Sequence, residues 1–201
     1  MRLLKTGSVG PSVQLLQLAL NRAGYGTLTT DGVFGARTRA ALIRFQAANG
    51  LSADGIAGPL THAALMPWYT GNMPHRVHRG DTLWSLARLY GSSVEAILLA
   101  NPGIDPQNLK LGSTVNVPLP FNIVPTDIDY SSQLVEYCVR GIAARYPFVK
   151  TGSLGSSVMG RPLWYLSVGK GDNRAWDYEV RLETPCGDWD RLRGLRRVQA
   201  P

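Results

Sequence analysis

An internal repeat constrains this chain more than any other feature. Asp31, Gly32, Gly35, Thr38, Ala41 and Leu42 recur 23 positions later as Asp54, Gly55, Gly58, Thr61, Ala64 and Leu65, so residues 31–42 and 54–65 are two copies of one phrase. Each copy reads as a turn that opens a helix. Asp-Gly supplies a left-handed backbone position, the next Gly allows close chain approach, and Thr followed by Ala-Ala-Leu begins an apolar helical stripe. Before the first copy, Val13, Leu16 and Leu20 fall at helical spacing after Pro11, and Gly24 closes that helix. The spacing predicts further helices over about 36–48 and 59–65, which makes a small three-helix unit ending near residue 70. Asp31, Asp54, Thr38 and Thr61 are read as caps and turn formers in preference to ligand contacts.

The 22 Gly and 13 Pro among 201 residues favour several small domains over one large one. Charge is uneven. Residues 1–72 carry six Arg or Lys against two Asp, a net +4, whereas 73–120, 121–173 and 174–201 each come to +1, giving the total of +7. Such a field attracts nucleic acid, acidic lipid or an anionic wall polymer alike, but no Lys/Arg block adjoins an aromatic platform. The chain is expected to bind neither nucleic acid nor membrane and to be monomeric. Cys138 and Cys186 are too few for a disulfide framework. Residues 1–10 contain no apolar stretch of the length a secretory signal needs, so the export route is left open.

The line Gly10, Val13, Leu16-Gln17, Leu20, Gly24, Asp31-Gly32, Phe34-Gly35, Thr38, Ala41, Phe45-Gln46, Gly50-Leu51, Asp54-Gly55, Gly58, Thr61, Leu65 resembles the helical peptidoglycan-binding domain found beside bacterial wall hydrolases. The resemblance implies an all-α module over residues 1–70 that binds wall polymer.

A second unit follows. Arg76-Val77-His78 reads as a strand, and Gly80-Asp81-Thr82 caps a helix with Leu83, Leu86, Ala87 and Tyr90 on one face. Ser92-x-x-Glu95 has the form of a capping box for another helix, and Asn101-Pro102-Gly103 breaks it. Val115 and Val117 alternate as a closing strand. The order over 75–120 is βααβ, with Met66 to Pro74 as a short linker. Gly80-Asp81-Thr82-Leu83-Trp84, Tyr90-Gly91, Ala100-Asn101-Pro102, Ile104, Gly112 and Val117-Pro118 resemble a LysM domain. The resemblance implies binding of N-acetylglucosamine-containing glycans between two loops, here Gly80, Asp81, Thr82, Leu83 and Asn101, Pro102, Gly103, Ile104. A purely structural role competes on equal terms, with Asp81 and Thr82 as caps and Asn101-Pro102 as a helix stop. Trp84, just inside a short helix, is assigned to the core. No metal is expected at His75 and His78, which supply two ligands without a Cys or Glu beside them.

After Pro120 the composition shifts. Residues 131–146 read as a helix, and 148–150 and 163–169 as two strands opening an α/β sheet. Asp127 and Asp129, the nearest approach to paired carboxylates, are read as solvated. Gly169-Lys170-Gly171 fails as a dinucleotide loop because Arg174 stands where its last Gly belongs. Tyr146-Pro147-Phe148, Gly155-x-Ser157-Val158-x-Gly160-Arg161-Pro162 and the strand ending in Val168-Gly169 resemble the start of a zinc carboxypeptidase domain. Together with the two modules this implies a relative of γ-D-glutamyl-L-diamino acid endopeptidases, which cut peptidoglycan stem peptides. The family's zinc ligands, a His-x-x-Glu pair and a later His, lie beyond that point; here His62, His75 and His78 are the only histidines and all precede it. The expectation is therefore a multidomain chain: two binding modules, an incomplete, inactive α/β carboxypeptidase-like fragment over 121–173, and a divergent tail over 174–201 for which disorder is one reading. The tail is ascribed to truncation or a frameshift, and zinc is expected only in a full-length relative.

Overall fold

The computed structural model describes residues 3–126, 128 and 130–168. Asp127, Asp129, Cys186, Gly169-Lys170-Gly171 and the tail over 174–201, all discussed above, lie outside these. Three helices, α1 (Pro11–Arg22), α2 (Ala36–Ala48) and α3 (Pro59–Ala64), form the first module. Both repeat turns have the backbone their sequence demands: Gly32 and Gly55 each have φ +73°. At Gly32 a Cβ would meet the Gly10 carbonyl oxygen at 3.2 Å, so shape and dihedral both require glycine there. Val13, Leu16, Leu20, Phe34, Leu42 and Phe45 fill the core, each at most 1% exposed.

Residues 66–74, expected as a linker, are ordered structure. α4 (Met66–Thr70) places Pro67 in its first turn, where the missing N–H costs nothing, and Gly71 ends it in the left-handed conformation. The strand β1 follows at once over Asn72–Arg76, upstream of the predicted 76–78, and pairs antiparallel with β2 (Thr114–Pro118). Pro74 is tolerated because a two-stranded ribbon leaves each strand an edge. Between the strands lie α5 (Leu83–Tyr90) and α6 (Val94–Ala100), completing the βααβ order. Their core is separate from the first, built on Val77, Leu83, Leu86, Ile97, Val115 and Val117. Ser93, not Ser92, caps α6, accepting from the Ala96 amide at 3.1 Å, because Gly91 in the left-handed conformation closes α5 and Ser92 is still held by the Ala87 carbonyl.

Helix α7 (Ser132–Arg145) forms as its spacing predicts, capped by Ser131. Its packing was not foreseen: Ile123, Leu134, Tyr137 and Cys138 join the core of the first module. Tyr137 stacks on Tyr69 at 5.0 Å and 8°. Gly141 lies so close to α4 that an added Cβ would stand 2.2 Å from the Thr70 carbonyl oxygen. Two arginines brace the same junction. Arg22 donates to the Trp68, Asn122 and Ile123 carbonyls, and Arg145 to those of Gly71, Leu119 and Phe121. The change in sequence character at residue 120 is therefore not a break in packing. β3 (Val149–Ser156) and β4 (Pro162–Val168) form an antiparallel hairpin, largely exposed, and among the described residues the expected α/β sheet consists of these two strands alone. No helix among the described residues is long and apolar enough to cross a membrane.

Candidate functional site

The loop before α5 is fixed at both edges and open in the middle. Thr82 caps the helix, accepting from the Ser85 amide while the Ser85 hydroxyl accepts from the Thr82 amide, both at 3.0 Å. Asp81 accepts from the His78 amide at 2.7 Å and meets His75 Nε2 at 2.8 Å. These hydrogen bonds, the amide first, hold its carboxyl below the usual carboxylate range. His75 is in turn held through Nδ1 by the Tyr90 hydroxyl at 2.9 Å, so one imidazole ties β1 to both ends of α5. Burial pushes that hydroxyl's pKa up. Gly80 is exposed with φ +94° and nothing within 4 Å of a Cβ position. Leu83 is 3% exposed and belongs to the core, so of the expected glycan contacts it is the one that backs the loop from below.

The second loop shows the same division. Asn101 donates to the Ile97 and Asn116 carbonyls, both at 2.7 Å, and accepts from the Asn116 amide at 2.9 Å. Its amide group is thus engaged in tying the end of α6 to β2. Pro102 and Gly103 are exposed, and Ile104 packs partly on the core. Asn116 is the register partner of Pro74, and Val115 of His75, so Asn101 and Asp81 anchor the two loops on adjacent rungs of one ribbon. Trp84 corrects the assignment made from sequence: it is 65% exposed on the first turn of α5, with the Arg88 guanidinium 5.7 Å from its ring centre. Helical spacing held the signal, because Trp84 lies off the Leu83, Leu86, Ala87 face. The two loops present exposed backbone and small residues, and Trp84 adds an aromatic plane on the helix that follows the first loop. Such a surface suits an acetamido sugar, which needs backbone partners and an apolar wall.

In the first module the suggestive polar residues are occupied internally. Gln17 Nε2 donates to Asp31 Oδ1 at 2.8 Å, the Val33 carbonyl at 3.0 Å and Thr38 Oγ1 at 3.2 Å, while its Oε1 accepts from the Gly32 amide at 3.0 Å. Gln46 does the same with Asp54, the Ile56 carbonyl, Thr61 and the Gly55 amide, at 3.0, 3.0, 3.2 and 2.9 Å. Asp31 and Asp54 are turn formers as predicted, accepting from the amides of Val33 and Ile56. Thr38 and Thr61 are not caps: they are buried and serve the glutamines, while Gly35 and Gly58 hold the cap positions. Apart from these, an open cleft of about 450 Å³ lies between α6, the exit of β2 and the end of α7, lined by residues that include Ser93, Pro120 and Arg145.

Comparison with known proteins bears on both modules. Residues 9–65 match the peptidoglycan binding domain family, and residues 75–118 match the LysM domain family. The chain thus contains one domain of each kind. Among curated proteins it is similar to the secreted LysM effector Blys4 of Beauveria bassiana, 37% identical over 46 residues, which are 23% of this chain and 27% of that protein. It is likewise similar to the secreted LysM effector ELP2 of Colletotrichum higginsianum, 33% identical over 49 residues, 24% of this chain and 28% of the other. The chain therefore spans little more than a quarter of the length of these relatives. Among solved structures, the SleB N-terminal domain is 41% identical over 32% of this chain and 88% of its own, with a TM-score of 0.31.

Proposed function

We propose that this protein binds cell-wall glycan, peptidoglycan or a chitin-like polymer of N-acetylglucosamine, through its LysM loops and its helical peptidoglycan-binding module. The observation that supports this best is the pair of exposed loops anchored on one ribbon, 80–83 and 101–104, in a segment that matches the LysM family. Gly80, Thr82, Pro102 and Gly103 supply the exposed surface, Leu83 and Ile104 the apolar backing, and Asp81 and Asn101 the anchors that position the first and second loops. Trp84 adds a stacking plane. A location outside the cell or at the wall accords with this reading and with the secreted relatives.

The two modules are braced, not loosely tethered, since α4, Arg22 and Arg145 fix the junction. Joint binding then raises affinity where the polymer presents two sites at the fixed spacing, and adds nothing where it does not. The +4 charge of residues 1–72 contributes salt-sensitive attraction to anionic wall polymers.

Co-sedimentation of the purified chain with insoluble peptidoglycan, chitin and DNA-cellulose tests the proposal. Pelleting with either glycan and not with DNA-cellulose is expected; a protein that stays in the supernatant with both glycans overturns it. A narrower role, as the targeting half of a wall peptidase, rests on the resemblance of the segment after residue 120 to a zinc carboxypeptidase. The family's zinc does not fit that segment, which contains no histidine.

A further inference from the structure

We propose that His75, His78 and Asp81 form a binding site for one divalent transition-metal ion of the zinc class, at the edge of the first LysM loop. In sequence the two histidines had no third partner. The fold supplies it: the chain turns after Val77 so that the Asp81 amide donates to the His78 carbonyl at 3.2 Å, which carries the carboxylate back against both imidazoles. One ligand atom from each residue then lies within 4.8 Å of the others.

The present spacings are close to what an ion requires. His75 Nε2 is 2.8 Å from Asp81 Oδ2, and His78 Nδ1 is 3.7 Å from the same oxygen. In a tetrahedral zinc shell with bonds of about 2.0–2.1 Å, neighbouring ligand atoms stand roughly 3.3–3.4 Å apart. Opening the first distance and closing the second, each by about half an ångström, brings both Asp81 pairs to that spacing, and the two imidazole nitrogens, within 4.8 Å of each other, close the rest of the way by rotation of the exposed His78 side chain.

Two of the three ligands are already oriented. The His75 side chain is only 12% exposed and its other ring nitrogen is held by Tyr90, which is how metal-bound imidazoles are commonly fixed. With an ion on Nε2, the ring proton sits on Nδ1 and the Tyr90 hydroxyl oxygen accepts it. Asp81 is oriented by the His78 amide. The third ligand, the His78 side chain, is 71% exposed and gives the ion its route in from solvent. Two imidazoles and one carboxylate select zinc, copper or nickel over magnesium and calcium, which prefer oxygen alone. Three protein ligands leave the fourth position to water. The site stands whether or not the loops bind glycan.

The test uses the full chain, stripped with a chelator and dialysed against zinc, with metal content and affinity measured directly. The expected result is one ion per chain, with visible d–d bands when cobalt replaces zinc. His78→Ala is expected to lower affinity at least tenfold while leaving the circular dichroism spectrum and melting temperature of the metal-free protein unchanged, because that side chain is exposed. Tyr90→Phe, which keeps all three ligands, is expected to weaken binding about tenfold. Wild-type protein that retains no zinc overturns the proposal. So does His78→Ala protein that retains zinc with wild-type affinity, since the ion would then lie elsewhere.

Discussion

The helical module and the LysM module place the same residue types, Asp beside Gly with Thr nearby, at the mouths of their helices, and use them in opposite ways. In the first, Asp31 and Thr38, with their copies Asp54 and Thr61, each close around a buried glutamine, the threonines buried with it and each exposed aspartate turned to it through Oδ1. In the second, Thr82 and Asp81 secure only the edges of a loop, leaving Gly80 and the Pro102-Gly103 turn exposed. Polar residues at a turn do not by themselves mark a ligand site. An account of each donor and acceptor is what separates a lock from a binding surface.

The largest expected difference lies at those locks. Gln46→Ala removes four hydrogen bonds and leaves the Gly55 amide and the Ile56 carbonyl without that partner. A stability loss of about 3 kcal/mol is expected, from unsatisfied buried groups at roughly 1–3 kcal/mol each. Thr82→Ala, which removes one exposed cap, is expected to cost about 1 kcal/mol. Denaturant titration of both variants measures the contrast, and equal losses would erase it.

Next in size is the junction that makes one body of the two modules. Gly141→Ala forces a methyl group against the Thr70 carbonyl oxygen, where 2.2 Å leaves no room. Separation of α7 from α4 and a loss of about 2 kcal/mol are expected. Limited proteolysis should then cut between residues 119 and 126 faster than in the wild-type chain. Resistance of the variant would show that α7 contributes little to the first module.

How much of this was legible in the sequence depended on the range of the interaction. Helix α2 was predicted at its observed bounds, Ala36–Ala48, because its turn, its stripe and its Asn-Gly stop are all local. The βααβ order was legible for the same reason. The glutamine locks were not, because Gln17 stands 14 residues before Asp31 and Gln46 only 8 before Asp54, so no fixed spacing in the repeat includes them. Nor was the packing of α7, since its apolar face reads alike against any partner. Pro67 and Pro74 give residues 66–74 the composition of a linker, whereas in the fold one opens a helix and the other sits on an edge strand. Tryptophan in so small a domain usually fills the core, but the helical phase of Trp84, off the Leu83, Leu86, Ala87 face, turns it to solvent.

The exposure of Trp84 makes it a probe of the LysM surface. Trp84→Ala removes an exposed ring from α5 and is expected to leave stability nearly unchanged. Affinity for chitin-type oligomers should fall about tenfold, the effect of truncating an aromatic anchor worth a little over 1 kcal/mol. Asn101→Ala is the useful counterpart: with three hydrogen bonds to Ile97 and Asn116, it should lower stability as well as affinity. Calorimetric titration beside thermal melting separates the two. A drop in stability for Trp84→Ala would return that residue to the core.

The smallest effect expected is on the acid side of the stability profile, and it again sets the modules apart. Asp31 and Asp54 each accept from a backbone amide and from a glutamine, and these bonds hold their carboxyls below the ordinary value of 3.8. A carboxyl depressed in the folded state favours folding above its unfolded pKa, and this contribution is lost as pH falls through the folded value. The helical module should therefore lose stability below about pH 4. The double variant Asp31→Asn, Asp54→Asn keeps the shape of both turns but does not titrate, so its melting temperature should vary less with pH in that range. Asp81, depressed by the His78 amide and His75, gives the LysM module a carboxylate of its own with the same sign. If melting of the double variant followed acid as steeply as the wild type, Asp81 and the remaining carboxylates would be the source of the acid sensitivity, and the locks would be held by their neutral hydrogen bonds alone.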